Sequence, residues 1–276
     1  MSKRKRLGQH FLIDESAAKK IVDSASLSAD DTVIEIGPGA GILTSRLADI
    51  AKRVIAIEID KKLCRLLQDR LSSCSNINII NSNALDYDYE DIPEIFKVVS
   101  NLPYSISTPL TIKLIEHRKK ISDMVLMFQK EVADRISAKP GTKDYGALSI
   151  AVQYHAETAK LMNVGRGAFK PVPKVDSAVI RITPRKEPAV KLKDENLFFK
   201  IVKTSFMYRR KTIRNNLKSM KIPPHPPLLK GGIGGLSEEL LNQIFKETGI
   251  NPSRRGETLS ISEFADIANY ISGTKT

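Results

Sequence analysis

Asn101-Leu102-Pro103-Tyr104 packs three chemical capacities into four residues. A side-chain carbonyl and a backbone carbonyl can accept the two protons of an exocyclic ring amine. Such an amine is a poor nucleophile, because its lone pair is delocalised into the ring, and holding both protons favours a pyramidal, nucleophilic nitrogen. Pro103 has a fixed φ and no N–H, so it aims the Leu102 carbonyl rigidly. Tyr104 offers a π-face on which an extracted base can stack. No strong base is required before attack, since alkylation itself acidifies the amine. In isolation the four residues read as an ordinary Asn/Pro turn. What favours chemistry is their place after a fourth predicted strand, at the carboxyl edge where open α/β sheets bind ligands.

A second cluster lies upstream. Glu35-Ile36-Gly37-Pro38-Gly39-Ala40-Gly41 sits where a strand turns into a helix. Glycines there let the backbone approach a ligand closely, and the following helix offers free N–H groups. The dinucleotide fingerprint G-x-G-x-x-G is broken, because position 42 is Ile. The next strand, Val54 to Ile59, nearly ends in Glu58, an acid placed to accept both hydroxyls of a ribose. The alternative is a solvated charge at a strand end. Cys64 and Cys74 have no histidine nearby in sequence, and His117, His155 and His225 lack ligand spacing, so no metal site or thiol nucleophile is expected.

A doubly wound sheet is needed to position these residues. Ala17, Ile21, Val22 and Ala25 recur as one helix face behind a cap at Asp14. Strands are predicted at Thr32–Ile36, Val54–Ile59, Ile77–Ile80, Val98–Val99 and Met124–Phe128. Helices are predicted at Ile42–Ile50, across Leu63–Leu71, and near Leu110–Ile115 and Glu131–Ser137. Buried strands with intervening helices imply a parallel sheet covered on both faces. Leu148–Tyr154 and Ala178–Ile182 look β-like with no helix between them, which predicts an antiparallel pair at one sheet edge. After a linker at Pro184–Pro188, helices are expected at Leu197–Met220, Ser237–Thr248 and Ser262–Ile271. The expected domains are therefore 1–184 and 185–276, the second a small all-helical domain with a Pro/Gly-rich loop at 222–236.

The chain has 276 residues, 41% hydrophobic and 27% charged, which excludes wholesale disorder and fibrous architectures. No apolar run approaches the roughly 20 residues that span a bilayer, and Lys3-Arg4-Lys5-Arg6 leads into no signal-type core, so a cytoplasmic protein without a membrane partner is expected. The net charge is +13, and a surface that positive draws polyanions, nucleic acid first among them. Between Arg185 and Lys230 lie thirteen lysines and arginines against three acids. On a continuous helix, Lys203, Arg210, Arg214 and Lys218 share one face, with Arg209 and Lys211 flanking it. That stripe is the candidate nucleic-acid-binding surface, its alternative being a solvated basic face.

Glu35, the three glycines and Glu58 resemble the S-adenosylmethionine site of class I methyltransferases, and the tetrapeptide resembles the motif of adenine amino-methyltransferases. Gly8–Leu12, Asn101–Thr108, Phe169–Ser177 and Phe206–Lys211 together resemble the ribosomal RNA adenine dimethyltransferases, from about residue 4 to the C-terminus. The resemblance implies an α/β, Rossmann-like fold with S-adenosylmethionine as cofactor. It places methyl-donor contacts at His10, Leu12, Gly37, Gly39, Glu58, Asn83 and Asn101. Position 10 is often Asn in the family and position 83 usually Asp, so Asn83 offers an amide oxygen to the adenine amine without the charge. Asn101, Leu102, Pro103 and Tyr104 are the implied catalytic group, and Phe169 is implied to complete a stacking sandwich with Tyr104. The segments Phe206–Lys211 and Asn251–Leu259 favour the small-subunit enzyme, which dimethylates two adjacent adenosines near the 3′ end of its RNA. The implied partner is small ribosomal subunit RNA in a pre-assembled particle, met by a monomer. A resistance methylase of large-subunit RNA and a non-catalytic nucleic-acid-binding protein on the same fold are the alternatives.

Overall fold

The computed structural model describes residues 10–220 and 236–273. Gly8, Gln9, the Lys3–Arg6 arm and nearly all of the Pro/Gly-rich loop therefore lie outside the described residues. The chain forms two compact units, one of residues 1–137 and 156–185 and one of residues 138–155 and 186–276. The segment 138–155, expected in the first domain, thus belongs to the second unit.

The first unit runs β1 (Phe11–Leu12), α1 (Glu15–Ser24), β2 (Thr32–Ile36), α2 (Ile42–Ala48), β3 (Arg53–Glu58), α3 (Lys61–Arg70), β4 (Ile77–Asn81), β5 (Phe96–Asn101), α4 (Ser107–Glu116), β6 (Ile121–Gln129) and α5 (Lys130–Ile136). After α6 (Ala147–His155), which belongs to the second unit, it resumes with β7 (Ala156–Val164), β8 (Phe169–Lys170) and β9 (Ser177–Pro184). Seven strands form one sheet in the order β4-β3-β2-β5-β6-β9-β7, and β1 pairs with β8 in a separate two-stranded ribbon. Neighbours from β4 to β6 pair in parallel, while β9 is antiparallel to both β6 and β7.

The reasons are local. All five residues of β2 (TVIEI) are buried, as a central parallel strand covered on both faces requires. Asp14 caps α1 by accepting the Ala17 N–H at 2.9 Å, and Asp60 caps α3 by accepting that of Lys62 at 2.7 Å. Ile21, Leu43, Leu47, Val33, Val54 and Val125 join in one buried cluster between helices and sheet.

The antiparallel edge pair is present, but its partner is not the expected segment. Leu148–Tyr154 is helix α6, and β9 pairs instead with Ala156–Val164. Leu148, Ile150, Val152 and Tyr154 recur at every second residue and so imitate a strand, but Ser149 is buried beside them, and the segment is a helix enclosed on more than one face.

The second unit adds α7 (Glu195–Ser205), α8 (Ile213–Lys218), α9 (Glu238–Thr248) and α10 (Ile261–Gly273) to α6. Phe198, Ile201, Ile213, Leu217, Leu241, Ile244, Phe264 and Ile267 make its core. The expected single helix Leu197–Met220 breaks after Ser205. Fully buried Asn216 donates its amide to the Ser205 and Tyr208 carbonyls, at 3.0 and 3.2 Å, and Thr212 caps α8 through the Asn215 N–H. Local propensity for a long helix loses to these bonds. The basic stripe is therefore not one helix face: Lys203 is on α7, Arg209, Arg210 and Lys211 are in the intervening turn, and Arg214 and Lys218 are on α8.

Candidate active site

The order of strands reverses at β2, whose chain neighbours lead away on either side to β3 and β5, and such a switch point opens a crevice at the carboxyl ends. The ladder between β2 and β5 is registered at Thr32, Val33 and Ile34. Beyond it, the buried Ser100 hydroxyl donates to the Ile36 carbonyl at 2.5 Å and accepts the Ile36 N–H at 3.3 Å. A side chain thus clips the strands together one residue before Gly37 and one before Asn101.

The glycine turn requires its glycines. Gly37 and Gly39 have φ of +67° and +59°, which side chains rarely adopt. A Cβ on Gly37 would lie 2.9 Å from the Pro103 ring, and one on Gly39 would lie 2.7 Å from the Phe11 ring. The turn consequently packs directly against the tetrapeptide and against β1.

One cleft in the first unit is lined by His10, Leu12, Gly37, Gly39, Glu58, Asn83 and Asn101, every position implied for the methyl donor. Leu102, Pro103 and Tyr104 line it too. Glu58, at the end of β3, is 2% exposed; Oε1 accepts the Asp60 N–H at 2.9 Å, while Oε2 is buried without a partner. Burial pushes its carboxyl above the usual range, opposed by the N–H groups of Asp60 and Gly39. An unsatisfied buried carboxylate oxygen at a cleft wall fits an acceptor waiting for hydroxyl donors. Asn101 Oδ1 is likewise buried and unpartnered. These two atoms fit a nucleoside-bearing methyl donor on one side and a substrate amine on the other.

Other positions are less free. Asn83 donates to Asp86 at 2.7 Å and accepts the Leu85 N–H at 3.1 Å, so its amide is oriented by its own loop, with one acceptor lone pair already used. The His10 ring Nδ1 lies 2.7 Å from the Pro171 carbonyl, and the ring sits 5.9 Å from that of Tyr104. Phe169 is not brought to the cleft. It lies in β8 opposite Leu12, is 1% exposed and joins the core cluster, so no face of its ring is available to sandwich a base. Aromatic character in sequence does not separate a stacking ring from a core ring. Ser100 and Ser177 went unassigned in the sequence, because their roles depend on strands distant in the chain.

Glu35, buried beneath the cleft in β2, is pushed up to about 8 by burial; the Thr44 hydroxyl opposes this and the Glu58 charge adds to it. The folded state then holds this proton more tightly than the unfolded chain does. The stability this group contributes is present below the ordinary value of 4.5 and is lost as pH rises to about 8. Chemical denaturation across that window should show Glu35→Gln gaining on the wild type as pH rises. A constant difference would contradict the assignment.

The parallel sheet with one reversed strand, the glycine turn, the acid at the tip of β3 and the tetrapeptide after β5 define a class I methyltransferase fold. A family model for ribosomal RNA adenine dimethylases matches residues 1–272. A protein of Geobacillus sp. (strain WCH70) named ribosomal RNA small subunit methyltransferase A is 50% identical over 275 residues, covering 97% of this chain and 91% of its own. A protein of the same name from Bacillus mycoides (strain KBAB4) is 46% identical with the same coverage. Among solved structures, a dimethyladenosine transferase from Plasmodium falciparum is similar with a TM-score of 0.79 at 27% identity, over 96% of this chain and 98% of that one. The 23S rRNA methyltransferase ErmE gives 0.71 at 26%, over 95% and 99%. The chain belongs to the ribosomal RNA adenine dimethylase family.

Proposed function

We propose that this chain transfers methyl groups from S-adenosylmethionine to the exocyclic amine of adenosines in small-subunit ribosomal RNA, twice per base at two adjacent positions near the 3′ end. Among the described residues, three side-chain acceptors of the cleft lining are buried and unpartnered, Glu35 Oε2, Glu58 Oε2 and Asn101 Oδ1, and the observation that carries the reading is the placement of the last two, at the ends of β3 and β5. Glu58 would hold the ribose hydroxyls of the donor, with His10, Leu12, Gly37, Gly39 and Asn83 around the rest of it. When bound, the sulfonium supplies an electrophilic methyl group. Asn101 Oδ1 and the Leu102 carbonyl accept the protons of the amine and direct its lone pair, Pro103 fixes the carbonyl, and Tyr104 stacks the base. The amine, acidified on methylation, sheds its proton to water. The relatives at 46–50% identity are named for the small subunit, which favours that RNA over the large-subunit target named for ErmE. Calorimetric titration should show binding of S-adenosylmethionine and none of NAD; the converse would overturn the reading.

Tyr104→Ala should slow transfer, since stacking on an aromatic side chain contributes about 1–3 kcal/mol per base. Single-turnover methylation at saturating donor checks this, and an unchanged rate would remove Tyr104 from the platform.

The second unit is proposed to grip RNA through phosphates. Arg214 and Lys218 both pair with Glu238, and Arg209 pairs with Glu257, so these cations are partly neutralised. Lys211 lies 4.4 Å over the half-exposed Tyr208 ring. Lys203 and Arg210 are exposed, with no ion pair among the described residues. Substituting both by Ala should flatten the dependence of log K on log salt by about 0.7–0.9 for each lost phosphate contact. Binding to the ribosomal particle at several salt concentrations measures it, and an unaltered slope would move the RNA surface elsewhere.

A further inference from the structure

Stacking needs the ring of a tyrosine and not its hydroxyl, so the hydroxyl at position 104 has some other partner to serve. Tyr104 Oη and Ser177 Oγ are 2.6 Å apart. The two residues sit on very different supports. Ser177 is fully buried at the start of β9, the antiparallel strand, in register with Gln129 of β6 on one side and Val164 of β7 on the other. The residue before it is fixed as well: the Asp176 carbonyl accepts the Lys130 N–H at 2.9 Å, and Asp176 Oδ1 accepts the Arg166 N–H at 2.9 Å. Tyr104 lies in the turn between β5 and α4, only partly buried, its backbone tied through its carbonyl to the Ser107 hydroxyl at 3.2 Å. A ring carried on a turn keeps its side-chain torsions free unless something holds its far end.

We propose that Ser177 is a positioning residue for methyl transfer: its hydroxyl pins the Tyr104 phenol to β9 and so fixes the ring as the platform for the target adenine. Ser177 does not line the cleft and acts through Tyr104 alone. The His10 ring, 5.9 Å from that of Tyr104 and tilted by 31°, flanks the same platform and is itself tied to the Pro171 carbonyl. The phenol therefore meets the central sheet at its tip and the His10 ring at its side. Burial raises the Tyr104 pKa, so the phenol stays neutral and both hydroxyls are available to pair. The inference rests on the cleft being the adenine methylation site.

The test compares Ser177→Ala, Tyr104→Phe, their double variant and Ser177→Thr in the full chain. Single-turnover methyl transfer to the small-subunit particle and calorimetric affinity for S-adenosylmethionine are both measured. Ser177→Ala and Tyr104→Phe should each slow transfer by about three- to tenfold, the range for one lost hydrogen bond. The double variant should be no slower than the slower single, because both remove the same bond. Donor affinity should stay unchanged, and Ser177→Thr should restore most of the rate. A purely structural role for Ser177 predicts no such non-additivity. An unchanged rate in Ser177→Ala, or single effects that multiply in the double variant, would overturn the proposal while leaving the adenine reading intact. If Ser177→Ala does not fold, Tyr104→Phe carries the test, and a wild-type rate there overturns it. Equal inactivity of the wild type and every variant on adenosine RNA would instead overturn the adenine reading, and the proposal with it.

Discussion

Asn101→Ala should lower single-turnover methyl transfer by two to three orders of magnitude, roughly 3–4 kcal/mol, the typical loss for a positioned polar group at a reacting centre. The structure adds a stability expectation. Asn101 Oδ1 is buried and accepts nothing from the protein, so alanine forfeits no hydrogen bond through that oxygen and removes a group that burial leaves unsatisfied. The thermal midpoint should hold or rise while transfer collapses. A variant equally slow and equally destabilised would point to a structural role, and transfer at the wild-type rate would refute the mechanism.

Glu58→Ala should weaken S-adenosylmethionine binding by roughly 1.5–3 kcal/mol, the range for hydrogen bonds to a charged group. The carboxylate is held up at the cleft wall by the Asp60 N–H on Oε1, which leaves Oε2 for a ligand. Glu58→Gln should lose less, since it keeps one oxygen and most of the packing. Calorimetry on both variants checks the order, and unchanged affinity in Glu58→Ala would sink the ribose assignment.

The chemistry was legible wherever one segment carries it. β2 occupies Thr32–Ile36 as its β-branched run predicts; Gly37 follows it directly, and Glu58 and Asn101 end β3 and β5, strands whose pattern is local. Every residue implied for the donor lines a single cleft: Gly37, Gly39, Glu58, Asn83 and Asn101 sit at the carboxyl edge of that sheet, and His10 and Leu12 are brought to it by the β1–β8 ribbon. What failed depends on the rest of the chain. Leu148–Tyr154 is a helix because it is buried in the second unit, and the α7–α8 break depends on where Asn216 directs its amide. That break also dissolves the basic stripe, which existed only if a helix ran unbroken from Lys203 to Lys218. Phe169 is a core ring because β8 pairs with β1, a two-residue ribbon with no sequence signature. Ser177 is seen only once β9 lies beside the tetrapeptide loop, a pairing of residues 73 apart in sequence.

The central claim is the transfer of methyl groups to adenines of small-subunit RNA, and mapping the products tests it most directly. The protein is incubated with labelled S-adenosylmethionine and with unmodified small- and large-subunit particles, and methylated adenosines are then located in each RNA. Dimethyladenosine at two adjacent positions near the 3′ end of the small-subunit RNA, absent with Asn101→Ala, is the predicted result. Label confined to large-subunit RNA, or absent from adenine in both, would contradict the account.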